Sequence, residues 1–242
     1  MSFFSDLLKE KSLWWAIGGA LTVYLAVLFL DRYYMHGQQA SFVPTNTTYV
    51  KEFEQDNQGS QDNNHHPGIK VQKPDFILDL TADYRAVIKT EYGNITVDLF
   101  EKLSPNIVNN FVYLAQSGYY NNIYWHRIIP KIVIQTGDPT GSGNGGPGYY
   151  VKGDFNANLP KYGPGIIGMA NDGNKDHNGS QFFIVASGVK PEMTQGWEST
   201  YPIFAKVVSG MDVVDKIASI KTDKNGKPSK HVKIYSIQIV KE

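Results

Sequence analysis

The C-terminal part of the chain consists of short apolar runs separated by turn residues, and this pattern limits the possible fold more than any other feature. The first five runs have only four to six residues each, whereas a helix usually needs about ten or more. The pattern therefore predicts β-strands. The runs are residues 125–129, 132–135, 166–170, 181–185 and 203–208, followed by a longer final segment at 232–240.

Local signals add a hairpin and a bulge to this prediction. Residues 86–90 and 94–100 alternate in polarity around a Tyr-Gly-Asn turn at residues 92–94, which predicts a β-hairpin. Near the end of the chain the apolar phase shifts between Ile234 and Ile237, which indicates a β-bulge in the last strand.

Two segments have the apolar spacing of amphipathic helices. Ser104 and Pro105 form a capping pair ahead of the first segment, and Gly118 ends it. A second helix fits residues 211–220. Many short strands with two helices predict a mainly β domain over residues 82–242, folded as a closed antiparallel barrel with two capping α-helices.

Composition excludes several classes of function. The 242 residues include 23 basic and 23 acidic side chains, so a nucleic-acid binder that relies on a strong positive field is not expected. The chain has no cysteine, which removes disulfides, thiolate metal ligands and cysteine nucleophiles. Residues 172–178 lack the central glycine and terminal glutamate of a calcium loop, so this segment predicts no metal site.

An uncharged apolar run precedes the β domain. Residues 13–30 read LWWAIGGALTVYLAVLFL, and a helix of this length rises about 27 Å, close to the hydrocarbon thickness of a bilayer. Tryptophans at one end and tyrosines just past the other match interfacial aromatic belts. The run predicts an uncleaved transmembrane helix that contacts the lipid bilayer, within an anchor of residues 1–35. A buried core helix and a cleaved signal peptide are the alternatives.

The flanks of this run suggest how the chain is oriented and connected. Lys9 and Lys11 precede the run and Arg32 follows it, so the positive-inside rule predicts a cytoplasmic N-terminus and an extracytoplasmic C-terminal domain. Residues 36–81 are polar and show neither helix nor strand periodicity. They predict a disordered tether with a span of very roughly 35 Å.

Five linked motifs in the C-terminal domain form a highly specific combination. In this order and at this spacing they resemble the signature of cyclophilin-type peptidyl-prolyl cis–trans isomerases, over roughly residues 84–242. With the predicted anchor, the chain resembles a membrane-anchored, bacterial-like member of that family, placed at a bacterial cell membrane. The motifs are WHRIIP at 125–130, QTGDPTG at 135–141, GNGG at 143–146, GMAN at 168–171 and GSQFFI at 179–184.

The resemblance implies both a fold and a site. The fold is an eight-stranded antiparallel barrel capped by two helices, with the active face on the outside of the barrel. The implied catalytic residues are Arg127, Gln135, Asn171 and Gln181. The implied substrate-binding residues are His126, Ile132, Val133, Ala170, Phe183, Trp197 and Tyr201.

The chemistry explains why these residue types suffice. Rotation about an X–Pro bond is opposed by a barrier of about 18–20 kcal/mol, but no covalent bond is made or broken. The reaction therefore needs no nucleophile, metal or cofactor. A guanidinium such as that of Arg127 can donate to the pyramidal proline nitrogen while amides hold the flanking backbone. The expected partners are proline-containing polypeptides, and the expected state is a monomer.

Strand periodicity supports the placement of this site. Gln181 and Phe183 lie two residues apart and share one strand face, which leaves Phe182 and Ile184 for the interior. Simpler roles remain open for some of these residues: a surface ion pair for Arg127, and a hydrogen-bonded structural role for His126. Core packing alone is the alternative for Phe183, and hydrogen bonding within a loop or strand, without substrate contact, is the alternative for Asn171 and Gln181.

Some positions depart from the family pattern and favour a second hypothesis. Ile132 and Val133 stand where an aromatic and a larger residue usually line the proline pocket, and Tyr201 stands where histidine is common. Loss of an aromatic wall weakens the grip on a proline ring by roughly 1 kcal/mol. The alternative function is therefore a catalytically weakened module that binds proline peptides or acts as a chaperone.

Overall fold

The computed structural model describes residues 70–242. This part of the chain forms two α-helices, α1 (Pro105–Gln116) and α2 (Met211–Ala218), and two short 3-10 helices, Pro191–Met193 and Trp197–Ser199. It also forms eight strands: β1 (Tyr84–Thr90), β2 (Gly93–Leu99), β3 (Arg127–Ile129), β4 (Val133–Thr136), β5 (Ile166–Met169), β6 (Phe182–Val185), β7 (Ile203–Ser209) and β8 (Ile234–Lys241).

All eight strands belong to one antiparallel sheet in the order β3-β4-β6-β5-β7-β2-β1-β8. The prediction of a mainly β domain with two α-helices is confirmed, but the prediction of a closed barrel is wrong, since the sheet is an open half-barrel. The three-residue strand β3 pairs only with β4, and β8 pairs only with β1, so β3 and β8 are the two edges of the sheet. Near the start of these strands the two edges come together through the isolated Tyr124–Lys233 bridge, the Trp125 N–H···O=C Val232 bond of 3.1 Å and the Ile234 N–H···O=C Ile123 bond of 2.8 Å.

The predicted hairpin and bulge are both present. Thr90 pairs with Gly93 across a two-residue turn between β1 and β2. On the other side of β1, Lys89 pairs with Ser236 and Thr90 with Ile234, so one residue of β8 has no partner in β1. This extra residue is the β-bulge that the shift in apolar phase predicted.

The interior of the half-barrel holds the main hydrophobic core. Helix α1 lies against this core, and its Phe111 contacts Phe182 of β6 edge to face, with ring centroids 5.5 Å apart. A second, smaller apolar cluster lies on the opposite face of the sheet and includes Val133, Phe183 and Val185. The alternation predicted for β6 is therefore confirmed, because Phe182 and Ile184 are in the main core and Phe183 is not.

Residues 70–81 lie against the domain, although the sequence assigns them to the tether. Leu78 is part of the main core, and Asn109 of α1 accepts the backbone N–H of Ile77 at 2.7 Å through its Oδ1. Asp79 forms a 2.9 Å ion pair with Lys241. These contacts precede the predicted domain boundary at residues 81 and 82, which stays a prediction.

The first strand of the domain and the end of the chain are paired beyond the strands themselves. Asp83 and Glu242 exchange two backbone hydrogen bonds, of 3.3 and 2.9 Å, next to the β1–β8 ladder. Among residues 70–242 no helix has the length and apolar character needed to cross a bilayer. The predicted helix at 13–30 and the predicted tether up to residue 69 lie outside the described residues.

Candidate active site

The outer face of the sheet brings the predicted polar site residues together. Arg127 of β3 pairs with Gln135 of β4, and Gln135 pairs with Phe183 of β6. Directly paired residues of antiparallel strands present their side chains on the same face. Because Gln135 lies between the other two, the register alone places a guanidinium, an amide and an aromatic ring in one row.

A chain of hydrogen bonds orients these polar groups. Arg127 Nη1 donates to Gln135 Oε1 at 3.0 Å, and Gln135 Nε2 donates to Gln181 Oε1 at 3.0 Å. Gln181 Nε2 donates in turn to the carbonyl oxygens of Gly143 and Gly145, both at 2.9 Å. A guanidinium carries five N–H donors, so the bond to Gln135 orients Arg127 and still leaves donors for a substrate.

The glycine-rich loop at residues 141–148 holds Gln181, the last side chain in this series of hydrogen bonds. Asp138 is buried and accepts the backbone N–H of Thr140 at 2.7 Å and of Gly143 at 2.6 Å. Burial favours a raised pKa for Asp138, but hydrogen bonds from Thr140 and the loop backbone outweigh it and lower the pKa. A side chain at Gly145 would collide with the Asp138 carboxylate, so the loop can fold this tightly only with glycine there.

Next to the polar row lies an aromatic wall, formed by four rings. Phe183 is only 6 % exposed. Its ring centroid is 5.7 Å from that of Trp197 and 5.6 Å from that of Tyr201, edge to face in both cases. Tyr162 stacks on Phe183 at 5.6 Å and donates its hydroxyl hydrogen to the Tyr201 carbonyl at 3.1 Å. Such a surface is suited to an apolar ring of the size of proline.

Tyr162 is a site residue that the sequence reasoning missed. It lies outside the five motifs, in a turn before β5, and only the fold brings it onto Phe183. Gly168 of β5 makes this possible, because a side chain there would collide with the Tyr162 hydroxyl. The pairing of an aromatic residue with a glycine in a neighbouring strand leaves no periodic signal in the sequence.

Ile132 and Val133 also lie at this apolar face. Val133 is part of the outer cluster, and the partly buried Ile132 packs against it. Ala170 packs against the same cluster, and its backbone N–H donates to the Gln181 carbonyl at 2.9 Å. All three are aliphatic, so the aromatic character of the face comes from the rings around Phe183.

Asn171 follows β5 closely in sequence, but its side chain forms hydrogen bonds within the adjoining loop and not with the polar residues of the site. Its Nδ2 donates to the Thr200 carbonyl at 2.8 Å and to Asn178 Oδ1 at 3.2 Å, and its Oδ1 accepts the Gly173 N–H at 3.0 Å. These contacts hold the loop after β5 in place. The structure therefore places Asn171 outside the Arg127–Gln135–Gln181 chain of hydrogen bonds.

The imidazole nitrogens of His126 are buried, and its predicted role in substrate binding stays a prediction. Neither of its ring nitrogens has a hydrogen-bond partner among the described residues. Burial lowers the pKa of His126 to about 4, and the charge of Arg127 adds to this effect while Asp138 opposes it. The imidazole is therefore neutral near pH 7. Among residues 70–242 there is also no group of three or more His, Cys, Asp or Glu side chains able to hold a metal ion.

Comparison with known proteins agrees with the fold. The sequence model of the family described as cyclophilin type peptidyl-prolyl cis-trans isomerase/CLD matches residues 85–239. The peptidyl-prolyl cis-trans isomerase-like 1 protein of Aspergillus niger is 43% identical over 157 residues, which cover 63% of this chain and 93% of that protein. The isomerase-like 2 protein of Rhizopus delemar is 42% identical, over 64% of this chain and 28% of that protein.

Two solved structures are similar as well. The crystal structure of a Cryptosporidium parvum cyclophilin type peptidyl-prolyl cis-trans isomerase has a TM-score of 0.60 and 34% identity, and the match covers 65% of this chain and 98% of that one. The same protein in the presence of the dipeptide Ala-Pro gives a TM-score of 0.58 over 64% of this chain.

An oriented guanidinium thus lies beside an aromatic wall on the outer face of an open antiparallel half-barrel. The chain belongs to the cyclophilin-type peptidyl-prolyl cis–trans isomerase family. It is therefore an enzyme that interconverts the cis and trans forms of X–Pro bonds, and proline-containing polypeptides are its substrates.

Proposed function

We propose that Arg127 is the catalytic donor of this isomerase. As an X–Pro bond twists, the proline nitrogen loses conjugation, becomes pyramidal and gains a lone pair that can accept a hydrogen bond. A guanidinium N–H aimed at that nitrogen stabilises the twisted state more than either planar state, and this difference lowers the barrier. The uncatalysed exchange takes tens of seconds or more.

Gln135 and Gln181 have a positioning and binding role in this proposal. The bond from Arg127 to Gln135 restricts the guanidinium before a substrate binds. Little orientational entropy of this side chain is therefore lost when the twisted state forms. The amides of Gln135 and Gln181 lie where they can hold the peptide backbone that flanks the proline. Phe183, Trp197 and Tyr201 hold the proline ring.

The observation that carries the proposal is the 3.0 Å bond between Arg127 and Gln135, in register with Phe183 on the next strand. No other arginine of residues 70–242 has such a setting. Arg85, the other one, is exposed on β1 and forms an ion pair with Glu242 at 2.9 Å. Arg85 therefore provides a matched control.

The test compares isomerisation rates of a proline peptide with the full-length chain in detergent. We expect Arg127→Ala to lower kcat/KM by at least about 100-fold, in line with the loss of a positioned charged donor. Arg127→Lys should recover little, because an ammonium cannot keep the planar bond to Gln135. Arg85→Ala should match the wild type. If Arg127→Ala kept the wild-type rate with a native circular dichroism spectrum, Arg127 would not be the catalytic donor.

We further propose that the enzyme acts at a membrane surface, on unfolded or flexible segments of other proteins, and that the domain lies outside the cytoplasm. The apolar run at 13–30 and the excess of basic residues before it support this proposal. The bacterial setting suggested by the sequence has no support among the relatives described above, which are from fungi and Cryptosporidium parvum. The proposal therefore concerns the bilayer and not a particular kind of cell.

A further inference from the structure

A tight turn lies between α2 and β8, at residues 223–227. The backbones of Asp223 and Lys227 are joined by a 3.0 Å hydrogen bond, and Gly226 N–H donates to the Asp223 carbonyl at 3.1 Å. The carboxylate of Asp223 accepts the backbone N–H groups of Asn225 at 2.8 Å and Lys227 at 2.9 Å. The carboxylate of Asp223 thus accepts hydrogen bonds from the backbone of its own turn.

This turn is packed directly beside the candidate catalytic residue. The backbone N–H of Ile128, in β3, donates to the Gly226 carbonyl at 2.8 Å. A Cβ atom built on Gly226 would lie 3.3 Å from Cγ of Arg127 and 3.0 Å from the Ile128 carbonyl oxygen. The backbone of the turn is therefore in near contact with the aliphatic part of the Arg127 side chain.

Two lysines of this turn project into solvent on either side of Gly226. Lys224 and Lys227 are both exposed, and within residues 70–242 neither forms an ion pair or a contact with an aromatic ring. Their neighbours differ in this respect, because Lys216 and Lys230 lie over the ring of Tyr92. Residues 216–233 contain six lysines and a single acidic residue, Asp223. Glu91 lies 3.9 Å from Lys230, whereas Lys224 and Lys227 have no ion-pair partner among residues 70–242.

We propose that Lys224 and Lys227 form a specificity element that favours X–Pro segments with acidic residues near the proline. The proposal rests on the proposed role of Arg127, since it places the substrate next to this turn. An acidic polypeptide fits better than an anionic lipid surface, because the lysines flank the residue assigned to the reacting bond. Their positive charges attract acidic residues of the substrate that flank the X–Pro bond, and they do not contact the rotating bond itself.

The expected size of the preference follows from Coulomb attraction through water. A lysine and a carboxylate about 10 Å apart attract each other by roughly a factor of two in affinity, so two such pairs give about three- to four-fold. Salt at about 0.5 M should remove most of this preference, since it shortens the screening length to below about 5 Å.

The experiment uses two peptides with blocked ends that contain one Ala-Pro bond and differ only in two flanking residues, Glu in one and Gln in the other. Exchange rates measured by NMR on the full-length chain give kcat/KM for each. We expect the wild type to favour the Glu peptide about three- to four-fold at low salt. The ratio should fall to about one in K224Q/K227Q and below one in K224E/K227E.

The control variant K73Q/K152Q neutralises two exposed lysines elsewhere on the described surface and should keep the wild-type ratio. A wild-type ratio of one, or an unchanged ratio in K224Q/K227Q, would overturn the proposal. Loss of binding to phosphatidylserine vesicles in K224Q/K227Q, with a peptide ratio of one in the wild type, would assign the lysines to a membrane surface instead. Turnover of the Gln peptide by wild type and by Arg127→Ala tests the role of Arg127 separately.

Discussion

At the scale of single residues, the site depends on side chains whose ordinary properties are changed by burial. His126 is the clearest case, because both nitrogens of its imidazole are buried and have no hydrogen-bond partner among the described residues. Burial holds its pKa near 4, against an ordinary value near 6.5. The folded protein therefore resists protonation of this residue, and the unfolded chain does not.

This difference predicts how stability changes with pH. Between about pH 6.5 and pH 4 the unfolded chain binds a proton at His126 that the folded chain does not bind, so the free energy of unfolding falls as the pH falls through this range. The loss amounts to roughly 2 kcal/mol by pH 5, relative to pH 7, and ends near pH 4. In His126→Gln, which cannot be protonated, this part of the pH dependence should be missing.

The measurement is urea unfolding of wild type and His126→Gln at pH 7 and pH 5. Comparing the two proteins at each pH cancels the titration of groups that they share. His231 is exposed, and His231→Gln is the matched control, which should keep the wild-type pH dependence. Equal losses of stability in wild type and His126→Gln would contradict the assignment.

At the scale of secondary structure, helix α1 shows how a distant residue can complete an element. Ser104 occupies the N-cap position, as predicted, but its side chain makes no capping bond to the helix backbone. The carboxylate of Asp154 takes this role and accepts the Ile107 N–H at 3.0 Å and the Asn106 side-chain amide at 2.9 Å. A negative charge at this helix end also interacts favourably with the helix dipole.

We therefore expect Asp154→Ala to destabilise the domain by about 1–2 kcal/mol. Asp154→Asn should lose less, because the amide oxygen can still accept from the Ile107 N–H. Asp176 is exposed in another loop, and Asp176→Ala serves as the control with little expected effect. Chemical denaturation gives the free energies, and a stability of Asp154→Ala equal to that of wild type would show that Ser104 or solvent satisfies the helix end.

Helix α1 also illustrates which elements a sequence can predict. The hairpin, both helices and the bulge in β8 follow from local patterns, since each depends on neighbouring residues. The capping by Asp154 and the stacking of Tyr162 on Phe183 do not, because each joins residues from separate parts of the chain. The open edge of the sheet was missed for a related reason: the length of β3 depends on its partners and not on its own apolar residues.

At the scale of the whole molecule, the site combines residues from motifs that are widely separated in sequence. The order of the sheet makes Arg127, Gln135 and Phe183 neighbours, and the motifs alone are enough to predict that these three residues belong to one site. The preformed bond between Arg127 and Gln135, and the support of Gln181 by the glycine-rich loop, depend on the register of three strands. Those contacts determine orientation, which a motif alone does not specify.

The proposed membrane attachment leads to a prediction for the full-length chain. If residues 13–30 span the bilayer with the N-terminus in the cytoplasm, protease added outside spheroplasts or sealed cells should release a fragment that contains the isomerase domain. Protection of the domain until detergent is added would reverse the orientation. Recovery of the intact chain in the soluble fraction after removal of membranes would contradict the anchor itself.

The pairing of Asp83 with Glu242 has a consequence for engineering the enzyme. Because these residues exchange two backbone hydrogen bonds, the start of β1 and residue 242 lie side by side, and a peptide linker of a few residues is enough to join them. New termini could then be opened in the exposed segment at residues 156–158. In such a circular permutant the linker would hold β1 and β8 in register. The new termini would give a second position at which the catalytic domain can be fused to another protein or surface.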